Sequence, residues 1–210
     1  MQEILYPFSP LVFRDIISDE FHEFLMDGLD SSRDGYDYSK HLAGNIKNQR
    51  GGEYDPHLFY DYINPYVQAY YQHENKDRNF FDINDPLYEE KNLKNVTYDL
   101  GEIGPWINFQ EQHDYNPLHR HNGDLSAIIF IDIPEEIAED RLYQRRNGSP
   151  NCASGLVDFW HNNLNWFISP KTKQIMLFPS NLLHGVYPFS INVQRITMSF
   201  NLHNLKKHYE

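Results

Sequence analysis

Apolar positions in the first third of the chain recur at helical spacing, and from about Val96 onward they alternate in short runs. Phe21, Phe24, Leu25 and Leu29 repeat every three to four residues, the period of one helix face, and predict a helix over 19–29. Ser18 is placed as its N-cap, and Asp19 and Glu20 put negative charge in the first turn, where the helix dipole favours it. Gly28, Asp30, Ser31 and Ser32 signal its end. A second stripe, formed by Leu58, Phe59, Tyr62, Ile63, Tyr66, Val67 and Tyr70, follows Asp55 as N-cap and Pro56 at the first helical position, where a missing N–H costs nothing. Pro65 lies inside that stripe and predicts a kink or break. Both stripes are expected to pack against a sheet. Residues 31–54, polar and rich in Gly, Asp and Asn, read as a long loop or lid whose one apolar knot is Leu42-Ala43-Gly44-Asn45-Ile46.

Strands are expected over 96–100, 106–112, 125–133, 156–160, 175–178 and 195–201, punctuated by Gly, Pro, Asn and Asp. Several short strands with little helix between them suggest a sandwich or barrel. The charged segment 135–154, ending in Asn147-Gly148-Ser149-Pro150, reads as an insertion made of a short helix and a loop. The expected organisation is a single domain over 1–210, mainly β with N-terminal helices. Residues 1–95 form a helical support with the lid loop, and 96–210 form the β core.

Composition narrows the function. The chain has 210 residues, of which 40% are hydrophobic, too many for a disordered chain despite a net charge of −12. That charge disfavours nucleic acid, which binds basic surfaces. The densest basic clusters, Arg141 with Arg145 and Arg146 and the pair Lys206-Lys207, are short and have acidic neighbours. The one cysteine, Cys152, excludes an intramolecular disulfide and a cysteine-based zinc cluster, and reads as a small packing residue. Residues 1–13 have no basic start, and Pro7 and Pro10 break their apolar run. No run approaches the ~20 apolar residues of a spanning helix. The expectation is a soluble, cytoplasmic protein without a membrane partner.

Three clusters carry candidate chemistry. His119 and His121 lie two apart, so in an extended segment both imidazoles point to one side and can converge on an ion. His184 follows a strand and a Pro-containing turn and is a candidate third ligand. Three ligands on one face of an ion leave positions open for a cosubstrate and dioxygen. Arg195, Thr197 and Ser199 share one face of an alternating strand. If that face looks into a barrel, Arg195 meets a ligand carboxylate as a bidentate fork with the Thr197 hydroxyl assisting. Asn108, on the face shared with Trp106 and Gln110, is a candidate for binding a cosubstrate. His113-Asp114 is a decoy, because adjacent residues on a strand point to opposite sides.

The run Asn116-Pro117-Leu118-His119-Arg120-His121-Asn122-Gly123-Asp124-Leu125-Ser126 resembles the N-P-x-H-x-H-x-G-D-L-S segment of a 2-oxoglutarate/Fe(II) oxygenase family with many phage and marine microbial members. So does the ending formed by Leu177-Phe178-Pro179-Ser180, His184, Pro188, Arg195-Ile196-Thr197 and Phe200-Asn201. The resemblance covers about the last half of the chain. It implies a double-stranded β-helix (jelly-roll, cupin-like) core, Fe(II) held by His119 and His184, 2-oxoglutarate with its far carboxylate on Arg195, and dioxygen as the other cosubstrate. The wider superfamily carries Asp or Glu where this chain has His121. The second ligand is therefore His121, Asp124 from beyond the turn, or water, and the i+2 spacing favours His121. Asp124 is otherwise placed to orient a ligating imidazole.

The implied activity is hydroxylation of a C–H bond in a small-molecule or peptide substrate, with release of succinate and CO2. Two alternatives stand beside it. One is a cupin-like metalloenzyme that does not use 2-oxoglutarate, for which Arg195 has no particular purpose. The other is a non-catalytic jelly-roll binding protein. The aromatic load would permit a homodimer.

Overall fold

The computed structural model describes residues 3–5, 10–78 and 93–210; the stretch 79–92, at the end of the expected helical support, lies outside the described residues. The chain opens with β1 (Glu3–Leu5) and β2 (Val12–Ile16). Next come α1 (Asp19–Asp27), α2 (Leu29–Arg33), β3 (Gln49–Gly51) and α3 (Pro56–Arg78). β4 (Leu93–Asp99), β5 (Trp106–Gln110), β6 (Asn116–His119) and β7 (Leu125–Asp132) lead to α4 (Glu135–Arg146). The last strands are β8 (Val157–His161), β9 (Leu164–Ile168), β10 (Gln174–Pro179), β11 (Leu183–Val186) and β12 (Arg195–Tyr209).

Two antiparallel sheets result. The larger runs β1-β2-β10-β7-β12-β5-β3, with β4 also paired to β12, and the smaller runs β6-β11-β8-β9. Strict alternation divides the large sheet into two faces. Ile107, Phe109, Ile129, Ile131, Ile175, Leu177, Met198 and Phe200 pack with the helical residues Phe21, Leu25, Phe59, Ile63 and Val67. The opposite face sends Ile128, Phe130, Met176 and Phe178 against Val157, Phe159 and Ile168 of the small sheet. The helices therefore cover one side of the large sheet, and the other side becomes the inner wall of a two-sheet barrel.

Local signals explain most of the elements and account for four departures from the sequence expectations. Ser18 caps α1 by accepting from the Phe21 N–H at 3.1 Å. The expected helix over 19–29 splits at Gly28, where the Tyr54 ring packs so closely that a Cβ would sit 2.2 Å from it. Asp55 caps α3 by accepting from the N–H groups of His57 and Leu58 at 2.9 and 3.0 Å. α3 then runs on through Pro65 without a break. Pro65 and Asp61 are exposed, so the carbonyl freed by the ring meets water, while Ile63 and Val67 anchor the helix on either side.

The expected lid over 31–54 instead contains α2 and the edge strand β3, whose Gln49, Arg50 and Gly51 pair with Asn108, Ile107 and Trp106. It is a strap sewn to the large sheet. His113, expected on a strand, sits in a turn at φ 68°, and its N–H donates to Phe189 O. The buried Asp114 accepts from the Glu111 N–H at 3.1 Å and holds the same turn. The insertion over 135–154 has its expected helix, α4, followed by a loop.

The helix–sheet contact is the main buried seam, and Phe59 sits at its centre, edge-on to Phe200 at 5.4 Å and to Phe21 at 6.2 Å. Phe59→Ala should cost about 3–5 kcal/mol in urea unfolding. Leu58→Ala, at a side chain 49% exposed, should stay within about 0.5 kcal/mol of the parent.

Candidate metal centre

The three candidate histidines come together at the open end of the barrel. β6 and β11 pair antiparallel with His119 directly opposite His184. His121 lies two residues beyond His119, just past the strand, with its N–H donating to Ser180 O at 2.9 Å. The ring centroids of His119 and His184 are 4.4 Å apart, and His121 lies 4.7 Å from the first and 5.1 Å from the second. One nitrogen from each ring falls within 4.8 Å of the other two. The Nε2 atoms of His119 and His121 stand 3.2 Å apart, close to the ~3 Å separation of two cis imidazoles bound at ordinary metal–nitrogen lengths. Asp124 is not part of this group: its carboxylate accepts from the Leu205 N–H at 3.0 Å. Its own N–H donates to Leu202 O at 2.8 Å, so it fastens the turn after His121 to β12.

Hydrogen bonds orient two of the rings for ligation. Nδ1 of His119 faces Pro117 O at 2.7 Å, and Nδ1 of His184 faces Leu182 O at 2.9 Å. A carbonyl can only accept, so each Nδ1 carries the proton and each Nε2 keeps a lone pair. Burial lowers the pKa of all three rings, to about 3 for His184 and about 4 for His121; the neighbouring His119 adds to the depression of both. The rings are thus neutral at physiological pH, the form that binds metal.

Behind the histidines the barrel wall is polar. On β12, Arg195, Thr197 and Ser199 pair with Gln110, Asn108 and Trp106 of β5. Arg195 is 1% exposed. Its Nη1 donates to Gly155 O at 2.9 Å, its guanidinium lies over the Phe130 ring at 5.6 Å, and its Nε has no partner. Burial, with Arg141 nearby, lowers its pKa to about 9. Among the described residues no carboxylate pairs with it. The Asn108 side chain donates to Thr197 Oγ1 at 3.2 Å and to Ser199 Oγ at 3.3 Å. Asn108, Thr197, Arg195, His119, His121 and His184 all line one inner cavity of about 30 Å³.

This cavity lies beneath an open trough of about 1020 Å³ that shares Trp106, His119 and His121 with it. His41 and Leu42 of the strap, Tyr60 of α3, Asp99, Glu102 and Arg120 line the trough. The sequence reading missed Gln49, which is 1% exposed and donates from Nε2 to Asn108 Oδ1 at 2.7 Å. Its segment, Asn48-Gln49-Arg50-Gly51, has no alternation that would mark an inward-facing residue. Ser199 was visible on the polar face of its strand but drew no role.

Residues 104–201 match the model of the family described as "Putative 2OG-Fe(II) oxygenase". The stretch holds the three histidines, Asn108, Arg195, Thr197 and Ser199, but not Gln49 or the trough residues His41, Leu42, Tyr60, Asp99 and Glu102. That family is one of oxidoreductases that use Fe(II), 2-oxoglutarate and O2, and the matched stretch carries the histidine cluster that could hold a metal ion. No curated protein matches the chain. Among solved structures it is similar to a prolyl hydroxylase from Trichoplax adhaerens in complex with a hypoxia inducible factor oxygen degradation domain peptide fragment. The TM-score is 0.52 at 11% identity, over 92% of this chain and 82% of that one. A Pseudomonas putida prolyl-4-hydroxylase aligns with TM-score 0.47 at 11% identity, over 91% of both chains. A 2OG-Fe(II) oxygenase family oxidoreductase from Burkholderia pseudomallei aligns with TM-score 0.41 at 10% identity, over 97% of this chain and 73% of that one. The Trichoplax likeness establishes the jelly-roll fold.

The depressed histidines make stability depend on pH. The unfolded chain takes up protons on its histidines below about pH 6.5, and the folded protein refuses them until about pH 4 or 3. Stripped of metal, the protein should lose stability as the pH falls from about 6.5 towards 4, and level off below. Urea midpoints taken in steps across that range check this. His184→Gln should flatten the fall, and an unchanged slope would mean that the imidazoles are not held neutral by burial.

Proposed function

We propose that this 2OG-Fe(II) oxygenase domain holds its iron with His119, His121 and His184, and seats the far carboxylate of 2-oxoglutarate on Arg195 and Thr197. The observation that carries the proposal is the buried Arg195, which has an unpartnered Nε and no carboxylate among the described residues. A buried guanidinium is costly unless it is paired, and an incoming carboxylate supplies the partner. A cupin-like enzyme without a carboxylic cosubstrate would leave that cost unrelieved. His121 is preferred to Asp124 as second ligand because its ring stands in the cluster while Asp124 is bonded to the Leu205 N–H.

Iron with 2-oxoglutarate and dioxygen supplies an oxidant for a C–H bond, with succinate and CO2 as the by-products. The chain's own part is positioning. The Nδ1 hydrogen bonds of His119 and His184 fix both rings before an ion arrives, so the site needs little rearrangement around the metal. Phe130, Phe178 and Phe159 line the barrel below and keep water from the charged end. The inner cavity has room for about one water molecule, so a five-carbon diacid enters as its walls move outward. Ile46 of the strap is one of those walls.

The trough directs substrate to the histidines. At about 1020 Å³ it has room for a peptide segment, and the Trichoplax prolyl hydroxylase was solved with a peptide fragment bound. Asp99 is held ionised, with Asn204 and the Gly101 N–H donating to it. Glu102 adds a second carboxylate, and Arg120 stands among the same lining residues. A neutral or cationic peptide segment suits these walls better than a polyanion. The helical first part and the strand-rich second part act as one unit, because β2 and β3 are built into the sheet that carries Arg195.

Anaerobic addition of Fe(II) and then 2-oxoglutarate should give the weak visible charge-transfer band of a chelated cosubstrate. Arg195→Ala should weaken 2-oxoglutarate binding about 100-fold or more, as expected for removing one partner of a buried charged contact, while leaving metal binding intact. His184→Ala should abolish both. Metal binding without a band would favour the cupin-like reading, and no metal binding at all would favour a non-catalytic jelly roll.

A further inference from the structure

We infer that Gln49, reaching in from the strap, is a positioning residue that makes Thr197 and Ser199 hydrogen-bond donors towards an anionic ligand, and so tunes the inner cavity for a carboxylate. The inference rests on the reading of that cavity as the 2-oxoglutarate pocket.

The argument is one of polarity. Gln49 stands opposite Asn108 in the β3–β5 pairing. Its backbone is fixed on both sides: its N–H donates to Ser39 Oγ at 3.0 Å, and its carbonyl accepts from the Tyr38 N–H at 2.9 Å. Its side-chain Nε2 donates to Asn108 Oδ1 at 2.7 Å. This occupies the acceptor end of the Asn108 amide and turns the donor end towards β12, where it reaches Thr197 Oγ1 and Ser199 Oγ. A hydroxyl that accepts a hydrogen bond still has its own hydrogen to give. Thr197, Ser199 and Arg195 line the same cavity, so two O–H donors join the guanidinium there.

Turning the Asn108 amide over would reverse this. Both hydroxyls would then donate to Asn108 Oδ1 and present lone pairs to the cavity, which repel a carboxylate. The two ends of an Asn amide have nearly the same shape, so packing does not choose between them. In this structure Nε2 of Gln49 faces Asn108 Oδ1, so the two amides are turned together. Gln49 Oε1 remains without a partner, as does Asn116 Oδ1, and both lie within 3.4 Å of where a Cβ on Gly44 would stand. The orientation therefore costs the strap a hydrogen bond, and an anion at the far end of the relay offsets that loss. The relay and the ligand stabilise each other.

The test uses the whole protein loaded with Mn(II), which binds the cosubstrate without turnover, and reads 2-oxoglutarate binding by calorimetry. Gln49→Met keeps the length and removes the amide. It should weaken 2-oxoglutarate about tenfold, the order expected for one uncharged hydrogen bond, while Mn(II) affinity stays unchanged. The distinguishing measurement is a double-mutant cycle. In a Thr197→Val/Ser199→Ala background the hydroxyls are gone, and Gln49→Met should cause no further loss. If it weakens binding equally in both backgrounds, or in neither, Gln49 does not act through the hydroxyls and the inference is overturned. Should Gln49→Met fail to fold, Gln49→Glu, which has the same shape but only acceptors, takes its place. The part of its loss that disappears in the hydroxyl-free background then reports the polarity, and an equal loss in both overturns the inference. If the parent protein binds Mn(II) but no 2-oxoglutarate, the proposed function falls and this inference with it. A parent that binds normally and shows no coupling sinks the inference alone.

Discussion

A guanidinium sealed inside a barrel, with no carboxylate beside it among the described residues, is the constraint around which this fold is arranged. Arg195 begins the longest strand of the molecule, β12, and its residue alternation assigns every neighbour a side. Ile196, Met198 and Phe200 lock one face to the helices, which leaves Arg195, Thr197 and Ser199 no choice but to face inward. Gly155 O and the Phe130 ring supply partial compensation, but neither neutralises the charge. An arrangement so costly to stability persists where a ligand completes it.

The site divides its work between the sheets. The large sheet, backed by α1 and α3, presents the polar wall on β5 and β12. The small sheet presents two of the histidines from directly paired residues on β6 and β11, and the third from the turn that follows. Both halves meet where the inner cavity opens into the trough, so charge recognition lies deep and the histidines lie near the mouth. Burial does opposite service in the two places. It strips protons from the imidazoles, which frees their lone pairs, and it raises the cost of the unpaired arginine, which favours an anion.

Much of this could be read from the chain because it depends on local periodicity. The i+2 spacing of His119 and His121, the alternation after Arg195 and the cap at Asp55 are rules of strand and helix geometry, and the structure follows each one. His184 entered the cluster as a candidate by its setting, and the pairing of β6 with β11 places it opposite His119. What escaped depends on partners distant in sequence. β3 is three residues long and polar, and only its pairing with β5 makes it a strand. β11 is four residues long, and β2 sits among residues read for their targeting signals instead. At Gly28, where the helix splits, the residue is held to glycine by Tyr54, 26 positions on. Pro65 predicted a break because the rule describes an isolated helix, whereas here flanking buried residues hold the axis.

The direct pairing of His119 with His184 also bears on how the chain stays folded. β6 is a four-residue edge strand containing Pro117, and its register with β11 is irregular. Backbone pairing there is sparse. An ion held by these imidazoles would act as a cross-link between positions about 65 residues apart. By the chain-entropy argument developed for disulfides, closing a loop of that length in the unfolded ensemble contributes roughly 4 kcal/mol. A chain with a single cysteine has no disulfide of its own to do this. The same atom that equips the site for chemistry would thereby tie together the two strands that frame the mouth of the barrel.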